Sequence, residues 1–211
     1  MNKLSKRHFW EWFRRHQNEY LELHNKTKKE ASYWLNELNA HLRAYYKFFG
    51  YSLIWSGKGI ARLTITVNGK AMHFKKVDAF VATAPEIPGW CIQALEDPMP
   101  VDFLLEQQIE ETGIHPNEFY FSFAGDDTNM IVYHPLCTNY NAHAVLDLAY
   151  EAVYNLLGER AFGTELGDLE VDNLSCADRD AVHKLSELPT HIAGRRSGMV
   201  VDGNGALLDK G

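Results

Sequence analysis

The sequence predicts an α+β fold with a mostly antiparallel sheet, helices on one face of that sheet and a helical hairpin at the N-terminus. Three observations support this prediction. Residues 5–49 repeat apolar side chains at helical spacing, residues 61–67 alternate apolar and polar side chains, and residues 119–134 contain two extended segments around a turn. After residue 50 the predicted order is strand, helix, strand, hairpin, helix and strand, which suits a ferredoxin-like or related domain.

The N-terminal hairpin is predicted from two apolar stripes. The first contains Phe9, Trp12, Phe13, His16, Tyr20 and Leu23, and the second contains Leu35, Leu38, Leu42, Tyr45 and Phe49. Thr27 and Glu30 have the spacing of a capping box before the second stripe, and Gly50 is placed to end it. The pattern therefore predicts two helices, or one bent helix, in residues 5–49.

The middle of the chain alternates strands with a short helix. The predicted elements are strands at 53–55 and 61–67, a turn at Asn68-Gly69, a helix from Phe74 to Ala84 and a strand from Trp90 to Leu95. Pro85 would stop the helix, and Pro88-Gly89 would turn the chain into the last strand. Residues 99–113 fit a helix ended by Gly113, although residues 101–105 fit an extended segment equally well.

The last third of the chain predicts a hairpin, a long helix and a strand. The hairpin covers residues 119–134, the helix begins near Ala142 and is closed by Gly158, and the strand runs from Asp168 to Asn173. A short helix is expected around residues 179–188, and the Gly-rich tail is either a mobile end or a terminal hairpin. The predicted domains are a helical extension at 1–50, an α+β domain at 51–193 and a tail at 194–211.

Composition and charge narrow the classes of partner. The 211 residues carry a formal charge of −7, so the overall charge disfavours nucleic acid as a partner, although the first thirty residues are basic. The three cysteines are widely spaced and outside any Cys-x-x-Cys pattern, which favours a reducing cytoplasm over a disulfide framework. No apolar run near Met1 suits a signal segment, and no run suits a membrane span, so a cytoplasmic protein without a membrane partner is expected.

A segment near the middle of the chain resembles a known pattern. Residues 63–69 read Leu-Thr-Ile-Thr-Val-Asn-Gly, and they lead through Val77 and Phe80-Val81 to the corner Ala-Pro-Glu-Ile-Pro-Gly-Trp at 84–90. This run is similar to uncharacterised bacterial domains of unknown function, some of them near or fused to regulator modules such as the inhibitor of ribonuclease E activity. The resemblance covers about a quarter of the chain. It implies a fold and a bacterial source but no functional residues.

Candidate catalytic and metal-binding residues are few. His134, Cys137 and His143 cluster around the junction between the hairpin and the long helix, which makes them the best metal candidate, although their spacing matches no familiar site. Glu106 and Glu110 share a face if residues 101–112 are helical and would then suit an acid/base pair. Asp126-Asp127 and Asp202-Gly203-Asn204-Gly205 resemble cation loops but are more typical of turns. No cofactor is predicted.

Aromatic side chains indicate a contact surface on the N-terminal helices. They outnumber what one apolar stripe can bury, so Trp10, Trp34 and Tyr46 are predicted to face a protein partner or a second copy of the chain. The preferred interpretation is a cytoplasmic regulatory or immunity-like protein that binds another protein through its acidic body and aromatic helices. The alternative is a small enzyme that uses a metal ion or an acid/base pair.

Overall fold

The computed structural model describes residues 6–56, 60–102, 113–124, 128–197, 199–201 and 207–209. It divides the chain into two compact units, Met1–Glu96 and Asp97–Gly211, which we call the N-terminal and C-terminal units. Both units combine helices with a sheet, so the α+β class is confirmed. The boundary at 96/97 falls inside the domain predicted at 51–193.

The N-terminal unit contains three helices and a three-stranded sheet among its described residues. In chain order these are α1 (Lys6–Leu21), α2 (Lys28–Tyr45), β1 (Gly50–Ser56), β2 (Ile60–Thr66), α3 (Phe74–Val81) and β3 (Trp90–Ala94). β1 runs antiparallel to β2, and α3 connects β2 to its parallel neighbour β3. The predicted capping box is present, because Thr27 Oγ1 accepts from the Glu30 amide while the Glu30 carboxylate accepts from the Thr27 amide.

The N-terminal helical hairpin is confirmed, but it is not a separate extension. Phe13 of α1 and Leu42 of α2 are fully buried in one core with Leu63 and Ile65 of β2. The apolar stripes of the helices are buried against this sheet, so the hairpin and the sheet form a single packed unit. The predicted boundary at residue 50 therefore marks a change of secondary structure and not of domain.

The C-terminal unit contains a four-stranded sheet and a small terminal hairpin. In chain order its elements are β4 (Tyr120–Ala124), β5 (Asn129–His134), α4 (Ala142–Glu165), β6 (Leu169–Asn173), β7 (His183–Lys184), α5 (Leu188–Ser197), β8 (Met199–Val201) and β9 (Leu207–Asp209). The sheet order is β6-β5-β4-β7, with α4 connecting β5 to its parallel neighbour β6. β8 and β9 pair as an antiparallel hairpin, one of the two alternatives for the tail.

One helix prediction in the C-terminal unit is confirmed and one is wrong. Gly158, with a φ of 68°, does close the first helical segment of α4, and a second segment follows it across a kink and continues to Glu165. The short helix expected at 179–188 lies instead at Leu188–Ser197, after a 3-10 turn at Leu185–Glu187. Pro189 lies in the first turn of that helix, where its missing amide proton costs nothing.

The sheet arrangement is related to the predicted one but differs in connectivity. Antiparallel pairs outnumber parallel pairs among the described strands, as expected. The strands form separate sheets instead of one, and the parallel strands β2 and β3, like β5 and β6, are direct neighbours. In a ferredoxin-like split βαβ unit a third strand would lie between them.

Candidate functional site

Trp10 is almost fully buried within the N-terminal unit. Only 2% of its surface is exposed, and its indole Nε1 donates to the carbonyl oxygen of Phe80 at 3.3 Å and to Thr83 Oγ1 at 3.2 Å. The prediction that Trp10 forms an exposed contact face is wrong. It placed Trp10 outside the apolar stripe of α1, but α3 covers that side of the helix. The centroid of the Phe80 ring on α3 lies 4.9 Å from that of the Trp10 ring.

Trp34 and Tyr46 are half-buried and engaged within the N-terminal unit. The Trp34 ring lies 5.3 Å from that of His16. The Tyr46 hydroxyl lies 3.0 Å from His73 Nδ1 and accepts from Lys76 Nζ at 3.1 Å. Lys76 also lies 4.2 Å above the Tyr46 ring. These contacts hold both aromatic residues against their own unit and leave each side chain partly exposed, so their role in partner binding stays a prediction.

A groove of about 550 Å³ does open on the N-terminal unit beside α1. Its lining, which we call the α1 groove, consists of Lys6, Arg7, Trp10, Glu11, Arg14, Thr83 and Pro85. One wall is the first half of α1, and the other is the corner after α3, where Pro85 is exposed. The corner is the one predicted from the Ala-Pro-x-x-Pro-Gly-Trp pattern.

The α1 groove is cationic. Lys6 Nζ donates to the carbonyl oxygen of Ala79 at 2.6 Å, which holds its ammonium over the groove. Arg7 Nε donates to the Glu11 carboxylate at 2.8 Å, and this hydrogen bond lowers the pKa of Glu11. Arg14 is exposed and has no hydrogen bond or ion pair to any other described residue. The groove therefore holds three cations against one carboxylate, which is already paired.

His134 is fully buried at the end of β5. Its Nδ1 accepts from the Leu136 amide at 3.1 Å, so the neutral ring carries its proton on Nε2. That Nε2 lies 3.3 Å from the Glu118 carboxylate without forming a well-aligned hydrogen bond. Burial lowers the pKa of His134, and the Glu118 charge opposes that shift only in part. His134 is thus a neutral core histidine.

The predicted group of His134, Cys137 and His143 does not converge on one point. Cys137 is buried, and burial raises the pKa of its thiol, so it remains protonated. His143 is exposed near the start of α4. Within the described residues these three side chains do not form a group with metal-ligand spacing. The metal site predicted from the nearness of these residues in sequence is therefore wrong, because the turn at 135–141 directs the three side chains into different environments.

A different group in the C-terminal unit does have the spacing of metal ligands. His183, Glu187 and His191 place one donor atom each within 4.8 Å of one another. The two imidazole centroids are 4.2 Å apart, and His183 Nδ1 lies 3.7 Å from a Glu187 carboxylate oxygen. Sequence reasoning missed this group, although the recurrence of the three residues at every fourth position was a visible signal.

Several other predicted candidates lie outside the described residues. These are Glu106 and Glu110, the Asp126-Asp127 turn and the segment Asp202-Gly203-Asn204-Gly205. Within the part of the chain that the structure does describe, no helix is both long enough and apolar enough to cross a bilayer. Comparison with known proteins adds no further information: no protein-family model, curated protein or solved structure matches this chain.

Proposed function

We propose that this is a regulatory or immunity-like protein that binds an acidic segment of another protein in the α1 groove. The observation that carries the proposal is a segregation of charge between the two units. Residues 1–96 contain 15 Lys and Arg against 8 Asp and Glu, a formal charge of +7. Residues 97–211 contain 6 against 20, a formal charge of −14, and the two sum to the −7 of the whole chain.

This segregation changes which unit is the better candidate for partner binding. The sequence prediction combined an acidic body with aromatic helices, but those two features belong to different units. The aromatic helices lie in the basic unit, which also contains the α1 groove. A cationic field speeds encounter with an acidic partner and disfavours a basic one. The partner segment is therefore expected to be rich in Asp and Glu.

The lining of the α1 groove supports a peptide ligand. Exposed Pro85 and the aliphatic stems of Lys6 and Arg14 offer apolar surface, while the charged groups at their ends are donors. Arginine pairs with a carboxylate through two parallel hydrogen bonds, and Arg14 is unengaged within the described residues. A segment with an apolar residue between carboxylates would satisfy both kinds of surface.

Two sequence features support a regulatory role in the cytoplasm. The corner that forms one wall of the groove belongs to the run that resembles domains found near ribonuclease E regulators. In addition, Cys91, Cys137 and Cys176 are all free thiols, which suits a reducing compartment. The proposed partner is identified by its chemistry, as an acidic protein segment.

The test is a fluorescence anisotropy titration of the full-length chain against a fluorescein-labelled peptide of Asp and Glu residues around one Leu. We expect Arg14→Glu to weaken binding by about tenfold, because it removes one attraction and adds one repulsion. Arg15→Glu is the matched control, since Arg15 is the next residue on α1, is equally exposed and does not line the groove. It should weaken binding only through the general change in field.

Three results would contradict the proposal. Equal weakening by the Arg14 and Arg15 substitutions would show that binding depends on overall charge and not on the groove. Tighter binding of a single-stranded oligonucleotide than of the peptide would identify the cationic surface as a nucleic-acid site. Self-association that the acidic peptide does not displace would identify the occupant as a second copy of the chain.

A further inference from the structure

We propose that His183, Glu187 and His191 bind one divalent transition-metal ion of the zinc class in the C-terminal unit. The three residues lie on consecutive elements: His183 on β7, Glu187 on the 3-10 turn and His191 on α5. β7 is fixed to the sheet by its pairing with β4, in which His183 is opposite Phe121. The site is independent of the α1 groove.

The donor atoms are close to the separation that a bound ion requires. Nitrogen and oxygen ligands lie about 2.0–2.2 Å from zinc, which places two ligands of a tetrahedral ion roughly 3.4 Å apart. The observed separation of His183 Nδ1 and the Glu187 carboxylate is 3.7 Å, and all three donors lie within 4.8 Å of one another. Metal binding would therefore draw the three donors closer together than they lie in the structure.

The charge state of the group suits a cation. Only the neutral imidazole has a lone pair to offer a metal. His183 and His191 each offer one imidazole nitrogen to the group. The Glu187 carboxylate supplies a negative charge in a unit whose formal charge is −14.

The surroundings hold the ligands on one side and leave the other side open. The Phe121 ring lies 5.8 Å from the His183 ring and 5.3 Å from the His191 ring, so an apolar wall limits their rotation. Glu187 is exposed, with 53% of its side chain accessible. An ion bound there would have three protein ligands and a remaining position for water or a substrate oxygen, as in catalytic zinc sites.

The donor set restricts the choice of metal. Two imidazoles and one carboxylate suit zinc, cobalt, nickel or copper, whereas magnesium and calcium prefer sites made only of oxygen. Two histidines and one glutamate form the set found in several zinc hydrolases. The chemical class is therefore a borderline transition ion with an open coordination position.

Isothermal titration of the full-length, untagged and EDTA-treated chain with zinc chloride tests the proposal. We expect about one equivalent of zinc per chain, and cobalt at the same site should give the visible absorption of a low-coordinate ion. Loss of a residue that only supports a metal ligand weakens metal binding by roughly 10–100-fold. His191 is proposed as a ligand itself, so His191→Ala should weaken zinc binding by at least that much. Glu187→Gln should weaken it by about tenfold, and its exposed position leaves folding intact.

His143→Ala is the matched control, because His143 is an exposed histidine of the same unit outside the cluster. It should bind zinc like the wild type. A chain that takes up no stoichiometric zinc would overturn the proposal, as would equal weakening by the His143 substitution. Wild-type affinity in Glu187→Gln would also overturn it, since the assignment requires all three ligands.

Discussion

The two units follow the same plan in their central elements. In each, an antiparallel hairpin leads into a helix that returns the chain to a strand parallel to the second strand of the hairpin. β1, β2, α3 and β3 in the N-terminal unit thus correspond to β4, β5, α4 and β6 in the C-terminal unit. The chain therefore repeats one supersecondary scheme with different surroundings.

Those surroundings differ in charge, in aromatic content and in added elements. The N-terminal unit is basic and contains all five tryptophans, whereas the C-terminal unit is acidic and contains none. The N-terminal unit adds the helical hairpin before the scheme, and the C-terminal unit adds β7 and α5 after it. The His183 cluster lies on these additions, and the added helix α1 supplies one wall of the α1 groove. The shared scheme thus serves as a scaffold, and the elements added to it carry the candidate sites.

The largest expected effect concerns the aromatic core of the N-terminal unit. The fully buried Phe80 ring lies 4.7–5.1 Å from the rings of Phe9, Trp10, Tyr45 and Phe49. Phe80→Ala should lower the free energy of unfolding of this unit by about 4 kcal/mol, through lost burial and a residual cavity. Tryptophan emission during urea unfolding measures this unit alone.

Met72→Ala is the control for Phe80→Ala, because Met72 is 83% exposed in the same unit. Its effect should stay within about 0.5 kcal/mol. A loss below about 1 kcal/mol for Phe80→Ala would show that the surrounding rings collapse into the space and that the aromatic cluster is not rigid.

The second effect concerns the kink that distinguishes α4 from the short, straight α3. A Cβ atom at Gly158 would lie 2.6 Å from the Pro98 backbone nitrogen, and the φ of 68° disfavours any side chain. Gly158→Ala should therefore lower the free energy of unfolding of the C-terminal unit by about 3 kcal/mol. Far-UV circular dichroism should show an earlier transition while the tryptophan transition stays in place.

Gly194→Ala is the matched glycine control. Gly194 lies in α5, and a Cβ atom there would meet no heavy atom within 4 Å beyond its chain neighbours and the adjoining backbone of its own helix. Alanine should stabilise that helix by roughly 0.5–1 kcal/mol. If both glycine substitutions had the same sign, the close approach of Pro98 would not explain the kink at Gly158.

The secondary structure could largely be predicted from local signals, and its failures have physical causes. The capping box at Thr27 and the turn at Asn68-Gly69 depend on neighbours in sequence, and both are observed. The strand predicted at 61–67 also forms, but Thr64 and Thr66 are buried as well, so the predicted alternation holds only at its start. Gly158 interrupts the helix as predicted, but local signals did not indicate that a second helical segment follows directly and continues to Glu165. The two-unit division was missed because it depends on which distant strands pair.

The candidate sites were less predictable for the same reason. Trp10 appeared to lie off the apolar stripe because a helical wheel does not show that α3 packs on a second side of α1. His134, Cys137 and His143 are close in sequence but separated by their environments. The residues of the His183 cluster recur at every fourth position, but they lie on a strand, a 3-10 turn and a helix, so this spacing alone does not predict that they converge.

A smaller effect concerns helix initiation. α2 begins with a full capping box, whereas the N-cap residue of α4, Asn141, makes no side-chain cap hydrogen bond to that helix. Thr27→Ala should destabilise the N-terminal unit by about 1 kcal/mol, and Thr27→Ser should largely preserve stability because serine supplies the same hydroxyl. Urea unfolding followed by tryptophan emission measures both. Equal losses in the two variants would show that the threonine methyl group, not the cap, provides the stability.

The smallest expected effect is a pH dependence of the stability of the C-terminal unit. Burial lowers the pKa of His134, and the effect is small because the Glu118 charge partly offsets that shift. As pH falls below the ordinary histidine pKa of 6.5, His134 becomes protonated in the unfolded chain while it is still neutral in the folded protein. The unfolded state then binds more protons, so acid lowers stability, and the contribution is fully present only above that value.

His134→Asn tests this dependence, because the asparagine carbonyl can accept the Leu136 amide but does not titrate. We expect the variant to lose less stability than the wild type between about pH 7 and pH 5, a window that lies above the usual carboxyl pKa values. Thermal unfolding followed by far-UV circular dichroism measures the slope, and the exposed His143→Asn should leave it unchanged. Parallel slopes for wild type and His134→Asn would assign the acid sensitivity to other groups, and the buried histidine would then be a packing residue only.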